Sequence, residues 1–435
     1  MTAILSICIL LLVTRADRAA QQKMSKADHD SAHAILHDAY DAVKKNYYDP
    51  KYHGLDWDAR LREYDPKIDG SASLGDALSV VAAFLEGLND AHTHYNPPPA
   101  GSRFDSGYRM QMIGDACFIT RVRPGTDADS KVHPGDEVVG YGAYSVTHDD
   151  FERIRYYFGV LAPQTSSKLT LRDPAGVQRE VTINAKVQQL QSAVDLSEFG
   201  GLPPEDPVRE GEYQDHTIHQ RLIETGDVAI WKMPEFRVKD GEIDGAFQTI
   251  RKHKTLILDL RGNPGGSLAT LGRVVGNVFD HDVKIADRVG RKDSKPQVAK
   301  SRGANAFAGT LIVLVDNESA SAAELFARVV QIEHRGKVIG DRTAGRVMEA
   351  KHYPYSQGLD ANGVYDFSVT EADLVMSDGK SLENKGVTPD ELVLPTGQDL
   401  AGGRDPVLAN AATLAGIDLD PAAAGKLFPI EWARF

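Results

Sequence analysis

Two turns in the 435-residue chain carry residues whose types and spacing could do chemistry. The first is Ser319-Ala320-Ser321-Ala322-Ala323-Glu324, which follows the apolar run Leu311 to Val315 and leads into a helical pattern with Leu325, Phe326, Val329 and Val330 on one face. A serine there stands at a helix N-terminus, where free backbone N–H groups and the positive end of the helix dipole can meet an incoming carbonyl. Taken alone, Ser319 or Ser321 would equally serve as an ordinary N-cap. The second turn is Arg261-Gly262-Asn263-Pro264-Gly265-Gly266, directly after the buried-strand pattern Thr255 to Leu260. Its glycines allow close backbone approach and positive φ. Amides of Gly265 or Gly266 and of Ala322 could together form an oxyanion hole for acyl transfer. Phosphate binders use similar turns, but the Lys-Ser/Thr pair of a P-loop does not follow.

The elements that must position these turns can be read from periodicity. Ala32, Ile35, Leu36, Ala39 and Val43, then Leu74, Leu78, Val81, Leu85 and Leu88 behind Ser73, follow helical spacing. Residues 25–100 are therefore expected to form a helical module. It closes on Asp90-Ala91-His92-Thr93-His94-Tyr95 and three prolines, which end any helix. Residues 105–187 read as short strands, Cys117 to Val122, Glu137 to Tyr141, Lys168 to Leu171 and Glu180 to Ile183, between Pro-Gly and Gly-Asp turns. Residues 188–225 are polar and read as a linker. From 226 to 435 the pattern is α/β, with strands at Val228 to Met233, Thr255 to Leu260, Leu311 to Val315 and Lys337 to Ile339 alternating with helices over 241–253, 267–279 and 321–333.

Composition narrows the function classes. With 42% hydrophobic and 26% charged residues the chain can bury several cores. A net charge of -13 excludes a nucleic-acid or anionic-membrane partner held by a basic patch. The apolar run from Ile4 to Val13 is too short to span a bilayer and, with Ala16, Ala19 and Ala20 after it, reads over residues 1–20 as a signal peptide, cleaved or kept as an anchor. Export to a periplasmic or secreted location follows. Outside that segment Cys117 is the sole cysteine, so no internal disulfide is expected. His92 and His94 could be read as metal ligands, but no third ligand stands near them, and neither metal nor cofactor is expected.

Four ordered motifs carry a resemblance. Asp259-Leu260-Arg261-Gly262-Asn263-Pro264-Gly265-Gly266, Ser319 to Glu324, Gly340-Asp341-Arg342-Thr343-Ala344-Gly345, and Leu382-Glu383-Asn384-Lys385-Gly386-Val387-Thr388-Pro389-Asp390 are similar in order and spacing to the C-terminal processing (tail-specific) peptidases and the tricorn core. The stretch Val122 to Asp129 and His133 to Val139 resembles a PDZ domain, which binds an extended peptide at a sheet edge. The resemblance implies an α/β fold with a crotonase-like ββα superhelix core, an inserted PDZ-like domain and a serine peptidase acting on polypeptides. Association with further copies of the chain stays open.

One departure matters. Tail-specific members carry a lysine base immediately after the glycine matched by Gly345; here that position is Arg346, which cannot accept a proton, and their following glutamine is Ala350. The tricorn-like branch instead implies His92 as base and Glu383 as the acid that orients it, with Ser321 as nucleophile. The serine that tricorn has before its histidine is Ala91. His94, His334 and His352 are rival bases, and Glu383 could be a surface acid. A non-catalytic PDZ-type scaffold, favoured by Arg346, is the competing function; an acyl-thioester enzyme is a weaker one.

Overall fold

The computed structural model describes residues 24–98, 102–189, 221–292, 294–356, 364–429 and 432. The expected signal segment lies outside them, as does most of the expected linker. The linker's ends are corrected: residues 188 and 189 finish the strand Lys186–Gln189, and 221–225 form the strand Arg221–Thr225.

The glycine-rich and serine-bearing turns hang from a six-stranded sheet ordered Arg221–Thr225, Val228–Lys232, Thr255–Asp259, Thr310–Val315, Lys337–Gly340, Glu391–Leu392. All pairs but the first are parallel. Val228–Lys232 and Thr255–Asp259 are buried along their whole length, as the continuous apolar runs predict for a sheet covered on both faces. Helices Asp240–Ile250, Leu268–Val278 and Ala322–Ile332 pack Phe247, Val274, Val275, Phe326 and Val330 on one face. Val407, Leu408 and Ala411 of Pro406–Leu414 cover Ile230, Ile257, Ile312 and Leu314 on the other.

A second, antiparallel sheet is built on Val364–Met376, which pairs with Met348–Ser356, Val283–Gly290 and the short strand His94–Asn96. The helical module, Lys26–Asn46, Trp57–Asp69 and Leu74–Glu86, packs Tyr47, Trp57, Phe84 and Tyr95 against Tyr365, Phe367 and Val369 of that strand. Arg291 ties the module down by donating to the carbonyls of Lys44, Lys45 and Tyr47 at the end of the first helix.

Residues 108–184 fold as a separate six-stranded sheet with helix His148–Tyr156, closed at its neck by the paired strands Ser102–Asp105 and Lys186–Gln189. Tyr108–Ile113 is one edge of that sheet. Cys117 is buried in this core, and burial pushes its thiol pKa well up, as suits a packing residue. No helix among the described residues is long and apolar enough to cross a membrane.

Candidate active site

The carboxyl ends of the parallel strands bring the two small-residue turns together, the place where open α/β sheets put their ligands. Gly262 N donates to Asp316 Oδ1 at 2.8 Å, Ala320 N to the Asn263 carbonyl at 2.9 Å, and Ser319 Oγ to the Leu260 carbonyl at 2.8 Å. Ser319 is fully buried and stitches one turn to the other. Beneath the glycine turn Asp259 is also fully buried, holding Lys232 Nζ at 3.1 Å and Arg261 Nη2 at 2.7 Å. Burial would raise the Asp259 pKa, but the adjoining Arg261 and Lys232 cations more than offset it and keep the group ionised.

Ser321 is half-buried and stands at the N-cap of Ala322–Ile332 with φ 51° and ψ -116°. A non-glycine residue adopts such a left-handed conformation only where its surroundings over-determine it. Here Ser321 N donates to the Arg346 carbonyl at 2.9 Å and to Glu324 Oε2 at 3.1 Å. Gly265 explains its own identity: with φ +101°, a Cβ there would stand 2.6 Å from Ser321 Cβ and 3.0 Å from Ala322 N. The glycine turn thus lies against the nucleophile candidate. The expected oxyanion donors need one correction, because the Gly265 amide is taken by Asn263 Oδ1 at 2.8 Å in a local Asx turn. Gly266, at φ +135°, and Ala322 stay as candidate donors.

His92 lies in a bend cradled by one carboxylate. Asp90 Oδ1 accepts from His92 N at 2.8 Å, Thr93 N at 2.9 Å and Thr370 Oγ1 at 2.8 Å, so the bend is fastened to the long strand. His94 instead begins the strand His94–Asn96, opposite Ser368. The two histidines therefore lie on different local backbone, His92 in a bend and His94 in a strand. His352 pairs with Asp366 at 2.8 Å in the antiparallel sheet, a setting of its own. His334, at φ 51°, ends the helix that Ser321 begins.

Glu383 joins the parts. Its Oε1 accepts from Ala91 N at 2.7 Å and its Oε2 from Val347 N at 2.8 Å, while Asn384 Nδ2 donates to the Asn89 carbonyl at 2.7 Å. One buried carboxylate thus binds the residue before His92 and the residue after Arg346, whose carbonyl holds Ser321. Burial pushes Glu383 up to about 8, with added repulsion from Asp90 and Glu324 outlasting its two amide hydrogen bonds. A surface acid in a turn would show neither the burial nor the long-range partners.

Arg346 turns away from this cluster. Its Nη2 meets Glu152 Oε2 at 3.0 Å on helix His148–Tyr156 of the separate β sheet. Two more bonds cross the same boundary, Gln111 Nε2 to Asp316 Oδ2 at 2.9 Å and Gly114 N to Asp341 Oδ2 at 2.7 Å. A cleft of about 330 Å³ runs between the edge strand Tyr108–Ile113, the start of the glycine turn at Gly262 and Pro264, and the C-terminal residues Arg404, Asp405 and Phe428; Ser321, His92 and Glu383 are not among the residues that line it. No group of His, Cys, Asp or Glu among the described residues is arranged to hold a metal.

Residues 227–393 match the model described as peptidase family S41, and residues 28–81 match the tricorn protease C1 domain. A putative tricorn protease homolog 2 of Streptomyces coelicolor is 26% identical over 394 residues, 86% of this chain but 31% of its own length. The carboxy-terminal processing protease CtpA of Bacillus subtilis is 24% identical over 403 residues, 89% of this chain and 74% of its own. Among solved structures, mature CPAF complexed with lactacystin has a TM-score of 0.64 at 15% identity, covering 86% of this chain and 96% of that one. The photosystem II D1 C-terminal processing protease has 0.52 at 18%, covering 90% and 98%. At these identities the structural likeness speaks for the fold alone.

Proposed function

Since the chain belongs to the S41, or C-terminal processing, family of serine-type peptidases and carries a tricorn C1 segment, we propose that it is an exported endopeptidase working through an acyl-enzyme on Ser321. His92 takes the serine proton and returns it to the leaving amine, while Glu383 fixes the imidazole and stabilises its charged form. Amides of Gly266 and Ala322 receive the oxyanion. The observation that carries this reading is the pair of hydrogen bonds that Glu383 accepts from Ala91 N and Val347 N, which draws the His92 bend to the segment holding Ser321.

The core is read as the crotonase-like superhelix of the family and residues 105–187 as a PDZ-like unit. Its edge strand Tyr108–Ile113 can take a polypeptide as an added strand, and it borders a cleft that also reaches Gly262 and Pro264 of the glycine turn. The substrates are proteins or peptides. Export rests on the apolar run from Ile4 to Val13.

The test is digestion of an unfolded protein such as casein, together with labelling by a fluorophosphonate, which reacts with an activated serine. Ser321→Ala should abolish both while leaving the fold intact, and Ser319→Ala should keep the label but lower stability, because its hydroxyl joins the two turns. An exchange of the two labelling results would move the nucleophile to Ser319. No labelling of the wild-type chain would favour a non-catalytic scaffold.

A further inference from the structure

Glu324 stands in the first turn of helix Ala322–Ile332, among Leu325, Phe326 and Ala323, with no exposed surface. A carboxylate is costly there unless it is fully hydrogen-bonded. Its Oε1 accepts from Thr343 Oγ1 at 2.5 Å and Gly345 N at 2.8 Å, and its Oε2 from Arg346 N at 2.9 Å and Ser321 N at 3.1 Å. Three of the four partners are backbone amides, which can only donate. An ionised carboxylate offers an acceptor to each of them, whereas an amide side chain would set an N–H against an N–H on one side. The nearby helix N-terminus also favours a negative charge.

What the four donors belong to is the second part of the argument. One is the backbone of Ser321 itself, held at φ 51°. The others lie on the segment Thr343 to Arg346, whose next amide, Val347 N, donates to Glu383, and whose Arg346 carbonyl accepts from Ser321 N. A single buried group therefore fixes the nucleophile turn and the irregular segment that Val347 N ties to Glu383 relative to each other.

We infer that Glu324, through the four hydrogen bonds that it accepts, is a positioning residue: it keeps Ser321 in its positive-φ conformation and in register with Glu383, so that its loss slows acyl transfer more than it weakens substrate binding or the fold. The inference rests on Ser321 being the nucleophile. Three variants, Glu324→Gln, Glu324→Asp and Ser321→Ala, are compared with wild type in fluorophosphonate labelling rate, in kcat and KM on a peptide, and in thermal midpoint.

Glu324→Gln should label about 100-fold more slowly, the penalty of a misplaced reacting group, with KM little changed. Glu324→Asp keeps the charge on a shorter arm and should recover part of the rate. A wild-type labelling rate in either variant, or a rise in KM with kcat held, overturns the inference. If Glu324→Gln does not fold, Glu324→Asp decides by the same criterion. Failure of both to fold would make Glu324 a residue of the fold alone and also overturn it. Label persisting in Ser321→Ala would remove instead the nucleophile assignment beneath it.

Discussion

At the scale of single residues, the proposal makes the ionisation of Glu383 the event that should govern the pH dependence of the reaction. Burial holds its carboxyl up to about 8, so at neutral pH much of the free protein carries it protonated, unable to stabilise an imidazolium by charge. Activity should therefore rise with pH until Glu383 ionises, and the ascending limb of kcat/KM should lie above the ordinary histidine value of about 6.5. Glu383→Gln should lower kcat and bring the limb back toward that value; a limb unmoved by this change would show that Glu383 does not govern the base. His92→Ala should cost on the order of 10⁴ in kcat, as loss of a triad member does. His94→Ala should cost far less, because His94 sits in a paired strand. Full activity in His92→Ala with loss in His94→Ala would move the base two residues along. Arg346→Lys should restore nothing in such a variant, since Arg346 is directed at Glu152 rather than into the cluster.

At the scale of elements, the glycine turn and the serine turn are one construction. Gly265→Ala would place a methyl 2.6 Å from Ser321 Cβ on a backbone at φ +101°, so either the turn or Ser321 must shift. A displacement of about 1 Å is worth about 100-fold in rate. Gly272→Ala, in the middle of the following helix with open space around the new Cβ, is the control, and should leave kcat intact and add stability. Equal kinetics in the two variants would dissociate the glycine turn from catalysis. These turns and the strands that launch them were legible in the sequence, because each joins a continuous apolar run to small residues within a few positions. The cradle of His92 was not. Asp90 meets Thr370 across 280 positions, and Val364–Met376 buries Asp366, Ser368 and Thr370 among apolar residues, so its alternation does not mark the inward face. Glu324 was legible as a motif residue but not as a hub, since nothing local says that an acid on an apolar helix face has four donors waiting.

At the scale of the whole molecule, the sheet of residues 108–184 is bolted to the core by Arg346–Glu152, Gln111–Asp316 and Gly114–Asp341. Replacing residues 102–189 by a short linker should lower hydrolysis of casein much more than that of a small activated ester, which needs only the serine, its base and the oxyanion donors. The ratio of the two activities is the readout, and equal losses would make the domain part of the active site. The pairing of His94–Asn96 with residues 366–368, and of Ala91 with Glu383 across 292 positions, has a consequence in time. A chain still being made, with Ser321 already present, has neither the strand that seats the His92 bend nor the acid that faces it. Such non-local contacts form late. If Ser321, His92 and Glu383 act together as proposed, the order of residues along the chain means that an unfinished copy emerging among other unfolded polypeptides cannot yet cut them.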